Sequence, residues 1–174
     1  MWLLAAAACA VGPGTDKGSD AALDTAPLTP CEQAASEPTE YAVGTGEASF
    51  EPLDDGDPLP FNRGPQGGWH VFGSFWATGV LPGDPEDFAD PSNPQVTFQV
   101  LVNGSFLGGY TDLPRPMDPV DGGGWAIVGD TLALDIDAPE DIDGAEAVLE
   151  VAFLDGCGTA LLDARSVVLY DGDR

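Results

Sequence analysis

The chain from residue 41 onward reads as an all-β domain, on three observations. Its apolar side chains fall into short runs separated by Gly, Pro, Asn and Asp, the punctuation of strands and turns. No stretch carries apolar residues at the 3.6-residue period of a helix. Asn103-Gly104 stands directly between two alternating runs, where a two-residue connection needs positive φ at both positions and therefore favours a type I′ hairpin turn.

Each element follows from its own residues. Residues 49–53 form a first short strand, ended by Asp54-Asp55-Gly56-Asp57-Pro58. Gly64-Pro65-Gln66-Gly67-Gly68 is a turn leading into residues 69–78, the most aromatic run of the chain and the expected central strand. There Trp69, Val71, Phe75 and Ala77 share one face and His70, Phe72, Trp76 and Thr78 the other, so both faces are expected to be covered. Residues 83–94, with three prolines and three aspartates, read as a surface loop. Val96, Phe98, Val100 and Val102 alternate with Thr97, Gln99 and Leu101, which buries one face of the next strand. Residues 105–110 return from the Asn-Gly turn, and 113–124, with Pro114, Pro116, Pro119 and a triple glycine, form a second irregular loop. Two short strands follow at 125–128 and 131–137, then an aspartate-rich loop at 138–144. In the final hairpin Ala147, Leu149, Val151 and Phe153 alternate with Glu146 and Glu150, and the chain returns through 161–170. About seven or eight strands with turn signals roughly every ten residues give an immunoglobulin-like antiparallel β-sandwich, with a jelly roll as the alternative.

At 174 residues the chain supports one domain with a substantial core. Its 30 acidic residues against 5 basic ones give a formal net charge of −25. That field repels phosphate backbones and anionic headgroups, which argues against nucleic acid or a basic membrane-binding patch. Residues 1–8, Met-Trp-Leu-Leu followed by four alanines, fall far short of the ~20 apolar residues that span a bilayer and read as a signal peptide. Ala6-Ala7-Ala8-Cys9 resembles the lipobox of bacterial lipoproteins, in which the cysteine is lipidated and becomes the mature N-terminus. The resemblance implies a lipid anchor on Cys9 as the sole membrane contact and, with Ala10 next, the outer membrane or cell surface of a bacterium. Residues 9–40 lack the apolar side chains that offset chain entropy and are expected to be a flexible tether to the domain at 41–174. With Cys9 taken by lipid, Cys31 and Cys157 remain. An even remainder in an exported chain predicts a disulfide between them.

The Gly64-Pro-Gln-Gly-Gly-Trp-His70 stretch, following Pro52-Leu-Asp-Asp-Gly-Asp57, resembles predicted lipoproteins of bacteria with an immunoglobulin-like domain. Val151-Ala-Phe-Leu-Asp-Gly-Cys-Gly followed by Arg165-Ser-Val-Val-Leu is similar to the last two strands of immunoglobulin-like extracellular modules. Neither likeness implies an activity.

His70 is the only histidine, so no pair of imidazoles is available in one chain. A lone histidine on an apolar strand is first a core or rim residue and only second a ligand contact. Ser74, Ser105 and Ser166 sit in ordinary strand contexts with no convergent acid and base, and the chain is read as non-catalytic. Hard cations need several oxygens from one loop, and Asp54, Asp55 and Asp57, the loop at 84–90, and the stretch at 135–143 each supply carboxylates. Asp141-Ile142-Asp143-Gly144 is a fragment of a calcium loop. Asp54, Asp55, Asp57, Asp141 and Asp143 are thus candidate calcium ligands, against the plainer reading of solvated turn residues. Trp125, after the triple glycine, is the aromatic residue best placed for exposure, and with His70 it is a candidate contact for a glycan or apolar ligand. The functional expectation is a cell-envelope adhesion or assembly module that binds a protein or glycan through its loops. The alternative is a calcium-dependent or glycan-binding domain with a small defined site.

Overall fold

A computed structural model describes residues 26–173; the expected signal peptide, Cys9 and the first part of the expected tether lie outside the described residues. The fold is all-β. Its strands are β1 (Tyr41–Thr45), β2 (Glu51–Pro52), β3 (Asp57–Arg63), β4 (Trp69–Ala77), β5 (Gln95–Val102), β6 (Ser105–Pro114), β7 (Asp118–Pro119), β8 (Trp125–Leu134), β9 (Glu146–Leu154) and β10 (Ala160–Asp171). Pairing places β2-β1-β4-β8-β7 in one layer and β3-β10-β9-β5-β6 in the other. Neighbours within the second layer are antiparallel except β3 and β10, which run parallel with Leu59 opposite Leu169. Two short bridges join the layers. Asn62 and Arg63 of β3 pair with His70 and Trp69 of β4, and Gly108 of β6 pairs with Leu134 of β8. The result is a sandwich laced along its edges into a partly barrel-like sheet.

The core follows the alternation of the strands. Val96, Phe98 and Val100 of β5 and Leu149, Val151 and Phe153 of β9 point inward and are buried, as are Val71, Phe75 and Ala77 of β4. Phe75 meets Phe153 across the layers with ring centroids 5.2 Å apart. Phe98 packs edge-on against Tyr110 at 5.8 Å and closes over Gly73. A Cβ at Gly73 would lie 2.8 Å from Leu132 and 3.2 Å from the Phe98 ring, so only glycine lets the layers approach there. Burying one such phenylalanine or leucine side chain contributes about 1.5–3 kcal/mol.

Several elements differ from the sequence reading. The first strand, expected at 49–53, shrinks to the two residues of β2, while β1 and β3 are additional. Pro58 and Pro60 disguise β3, yet Leu59 and Phe61 are fully buried on its inner face. β3 meets β4 only at Asn62 and Arg63, so most of that edge needs no N–H donors and tolerates proline. The expected break between 128 and 131 is a bulge within one continuous β8, where Gly129 takes φ of 69° and the β4–β8 register shifts between Gly73 and Phe75. β7 lies inside the expected loop 113–124. The Asn103-Gly104 turn forms as expected, with φ of 52° and 74°.

The expected tether also contains structure. Pro30–Ala34 form a short helix, α1, opened by a capping box in which Thr29 Oγ1 accepts from the Glu32 amide and Glu32 accepts from the Thr29 amide at 2.8 Å. Cys31, at its start, is joined to Cys157 in the β9–β10 turn by the expected disulfide. Thr78 Oγ1 donates to the Pro38 carbonyl at 2.8 Å and accepts from the Glu40 amide, so residues 37–40 lie against the end of β4. The boundary drawn at residue 41 therefore falls inside ordered structure.

Candidate ligand-binding grooves

The expectation that both faces of the central strand are covered is corrected. Val71, Phe75 and Ala77 are fully buried, but His70, Phe72 and Trp76 on the opposite face are only half-buried. Among the described residues no second sheet lies over that face. A loop crosses it instead. From Gly46 to Phe50 the chain folds back over β4 and β8, and three contacts hold it there. Ser74 Oγ accepts from the Gly129 amide at 3.0 Å and reaches the Gly46 carbonyl at 3.3 Å. Thr45 Oγ1 donates to the Phe72 carbonyl at 2.8 Å. A Cβ at Gly129 would stand 2.3 Å from the Glu47 carbonyl oxygen, which ties the bulge glycine to the crossing.

The crossing divides the outer face into two open grooves. One, of about 740 Å³, runs from the Gly64–Gly68 turn along β4 and β8 and is lined by Arg63, Gln66, Trp69, His70, Phe72 and Thr131, among others. The other, of about 700 Å³, is lined chiefly by apolar groups, including Phe50, Pro52, Trp76, Val120 and Val128. In the first groove His70 meets Phe72 edge-on at 5.1 Å, and Trp69 is wedged edge-on against Phe61 at 5.6 Å. The Arg63 guanidinium lies 6.0 Å from the Trp69 ring centre, and its Nε donates to the Gly67 carbonyl at 3.3 Å. The turn is pinned by mutual hydrogen bonds, Gly64 amide to Gly68 carbonyl and Gly67 amide to Gly64 carbonyl, both 2.8 Å. Asp173 accepts the Arg63 backbone amide at 2.9 Å.

Charge sets this groove apart. Arg115 is paired with Asp130 at 2.9 Å, and Arg165 is paired with Asp163. Arg63 is the one described arginine with no ion pair, and it shares the groove with the only histidine. The groove thus offers guanidinium, imidazole and amide donors, the acceptors of Glu47 and Asp173, and half-exposed rings. Such a mixture suits a ligand with several hydroxyl or amide groups and an apolar face.

The two aromatic candidates do not meet. His70 lines the first groove, whereas Trp125 pairs with Ala77 at the opposite end of β4 and lines a small crevice under α1 with Pro30, Ala34 and Leu81. Trp125 is half-buried and packs against the core. Four of the five carboxylates proposed for calcium, those of Asp55, Asp57, Asp141 and Asp143, accept backbone amides. Asp57 accepts from Asp54, Asp55 from Ser166, Asp141 from Ala138, and Asp143 from Asp171. Among the described residues no three His, Cys, Asp or Glu side chains converge on a point that could hold a metal ion. Arg63, Gln66, Phe72 and Thr131 were not singled out from the sequence. The alternation of β4 carried the signal, since a strand with aromatic groups on both faces has one set left over when only one face is covered.

No protein-family model matches the chain, and no curated protein matches its sequence. The functional reading rests on the chemistry of the grooves.

Proposed function

We propose that the protein is a non-catalytic, lipid-anchored binding module of the bacterial cell envelope that holds a glycan or protein partner in the groove between Arg63 and Thr131. The observation that carries this reading is the pair His70 and Phe72, left half-exposed on an otherwise well-packed strand and bordered by Arg63, the described arginine without an ion pair. Aromatic surface kept in water on a rigid sheet is costly unless a ligand covers it.

Two further readings accompany it. The strand order supports an immunoglobulin-like sandwich: β1, β4, β8 and β7 correspond to one sheet of that architecture and β10, β9 and β5 to the other. Where antibody domains place an inter-sheet disulfide, this chain has the Phe75–Phe153 contact. The Cys31–Cys157 bond supports export, because structural disulfides persist in oxidising compartments. It also leaves Cys9 as the one cysteine available for lipid.

The groove is tested with a His70→Ala/Phe72→Ala double variant. Both side chains are half-exposed, so a folded variant is expected, and it should lose retention on isolated envelope polysaccharide and envelope protein fractions that retain the wild type. Equal retention of the two proteins overturns the reading. The anchor is tested separately: Cys9→Ser should move the protein from the membrane to the soluble fraction, and an unchanged distribution sinks that part.

A further inference from the structure

Arg63 stands apart among the cations of this chain. Of the five basic residues, Lys17 and Arg174 lie outside the described residues, and Arg115 and Arg165 are each held by an aspartate. With 30 acidic residues against 5 basic ones, a guanidinium meets a carboxylate by default, yet none among the described residues pairs with the Arg63 side chain. Asp173 is at hand, but its Oδ2 accepts the Arg63 backbone amide at 2.9 Å and makes no ion pair with the guanidinium. The side chain is held all the same. Its Nε donates to the Gly67 carbonyl at 3.3 Å, and its guanidinium carbon lies 6.0 Å from the Trp69 ring centre. The Nη1 and Nη2 donors make no hydrogen bond to the described residues, and Arg63 is exposed. The strand rows beneath the groove carry no carboxylate: Asn62, His70 and Ala133 form one, Phe72 and Thr131 the next. Glu47 and Asp173 stand among the groove's other lining residues.

We infer that the groove takes an acidic glycan, one whose sugar carries a carboxylate as in a hexuronic acid, with that carboxylate against the Nη donors of Arg63 and the sugar ring over His70 and Phe72. The inference rests on the groove reading above and adds the class of ligand. Three arguments select it. A guanidinium presents a planar fork that matches a carboxylate with two parallel hydrogen bonds, and one already fixed by Gly67 and Trp69 loses little freedom on binding. Charge then limits the anion. The net charge of −25, with Glu47 and Asp173 in the lining, repels a phosphate ester near −2 about twice as strongly as a carboxylate, so a single planar monoanion suits a single arginine. The strand geometry favours a sugar over an extended peptide. β4 is paired with β8 on one side and with β1 and β3 on the other, and Thr45 takes the Phe72 carbonyl between them, which leaves no open edge for an added strand. The side chains of Asn62, Gln66 and Thr131 instead line the groove with amide and hydroxyl groups, which pair with ring hydroxyls as both donors and acceptors.

Titration of the full oxidised chain with a panel of neutral trisaccharides, each capped by one hexuronic acid, and with the same panel after reduction of the carboxyl to an alcohol, tests the inference. The expected result is binding of an acid-capped sugar roughly tenfold or more tighter than its reduced twin. Arg63→Gln should abolish that difference and leave the reduced twin's affinity unchanged. Arg63→Lys should keep only part of it, because an ammonium is a point charge without the fork. Glu47→Gln, which removes a carboxylate from the lining, should tighten the acid-capped sugar alone. Near-ultraviolet circular dichroism shows whether each variant folds. Should the Arg63 variants fail to fold, nuclear magnetic resonance of the wild type replaces them, with the acid-capped sugar expected to shift the Arg63 Nε and Gly67 amide signals. Several outcomes overturn the inference: shifts confined elsewhere, a difference that survives Arg63→Gln, or tighter binding of phosphate- or sulfate-capped trisaccharides or of a peptide with a free C-terminal carboxylate. Equal binding of the acid-capped and reduced panels, both lost in His70→Ala/Phe72→Ala, also overturns it while leaving the groove reading in place. Binding of no sugar at all overturns it as well, and retention of the wild type on envelope protein then decides the groove reading by itself.

Discussion

At the scale of single residues, Trp76 shows how a face assignment decides an energy. Read as a core residue beneath two covering layers, its loss would cost about 3–5 kcal/mol. It stands instead on the outer face, half-buried, with its indole N–H donating to the Gly123 carbonyl at 3.1 Å and its ring lining the apolar groove. Trp76→Ala is therefore expected to cost about 1–2 kcal/mol in urea denaturation, most of it from the lost hydrogen bond and partial burial. A loss above about 3 kcal/mol would mean the groove is filled by the protein itself rather than left for a ligand. The aspartates teach the opposite lesson. Their spacing suggested a cation, yet Asp155, buried to 5% exposure, accepts the amides of Leu81, Cys157 and Thr159 and shows where such carboxylates are spent. Whether an aspartate binds an ion or caps a turn depends on which amides face it. Residue spacing alone does not carry that information.

At the scale of elements, the layers are laced by polar groups placed where backbone pairing is thin. β6 and β8 share a single backbone pair, Gly108 with Leu134, and beyond it Tyr110 of β6 donates its hydroxyl to Asp130 of β8 while Arg115 lies over the tyrosine ring and pairs with the same carboxylate. Burial, followed by the bond to Asp130, pushes the Tyr110 hydroxyl well above the ordinary tyrosine value near 10. A group whose folded pKa is raised contributes stability that is complete below its unfolded value and disappears as pH rises toward the folded one. Stability is therefore expected to fall as pH rises above about 10. Tyr110→Phe should flatten that decline, with urea midpoints between pH 9 and 11 as the measurement; an unchanged slope would mean the hydroxyl is not coupled to folding. Element legibility followed the same division. β4, β5, β9, β10 and the Asn-Gly turn declared themselves through alternation and turn chemistry. β3 was hidden by prolines that only an edge tolerates, and the continuity of β8 by a glycine that makes a bulge rather than a break. α1 was readable in principle, because Thr29-Pro30-Cys31-Glu32 spells a capping box, but five residues are too few for periodicity to register.

At the scale of the whole molecule, a chain carrying −25 has few attractive charges to hold it, with two ion pairs among the described residues, and relies on its core and one covalent tie. The Cys31–Cys157 bond joins residues 126 apart in sequence and connects α1 to the last hairpin, so it spans nearly the whole folded domain. In an unfolded chain of this charge, mutual repulsion expands the ensemble, and the cross-link removes many of the conformations that expansion would add. The chain-entropy model gives a closed loop of this length roughly 4–5 kcal/mol. The double variant Cys31→Ser/Cys157→Ser should accordingly unfold at a markedly lower urea concentration than the oxidised wild type. The difference should be larger at low salt than in 0.5 M NaCl, because screening contracts the unfolded chain and leaves the cross-link less to restrain. Non-reduced peptide mapping of the wild type verifies the bond in the same samples. A loss below about 1 kcal/mol would show that Thr78 and its contacts with Pro38 and Glu40 already hold the segment without the disulfide. A loss independent of salt would remove the charge-expanded unfolded chain from the explanation while leaving the tie itself in place.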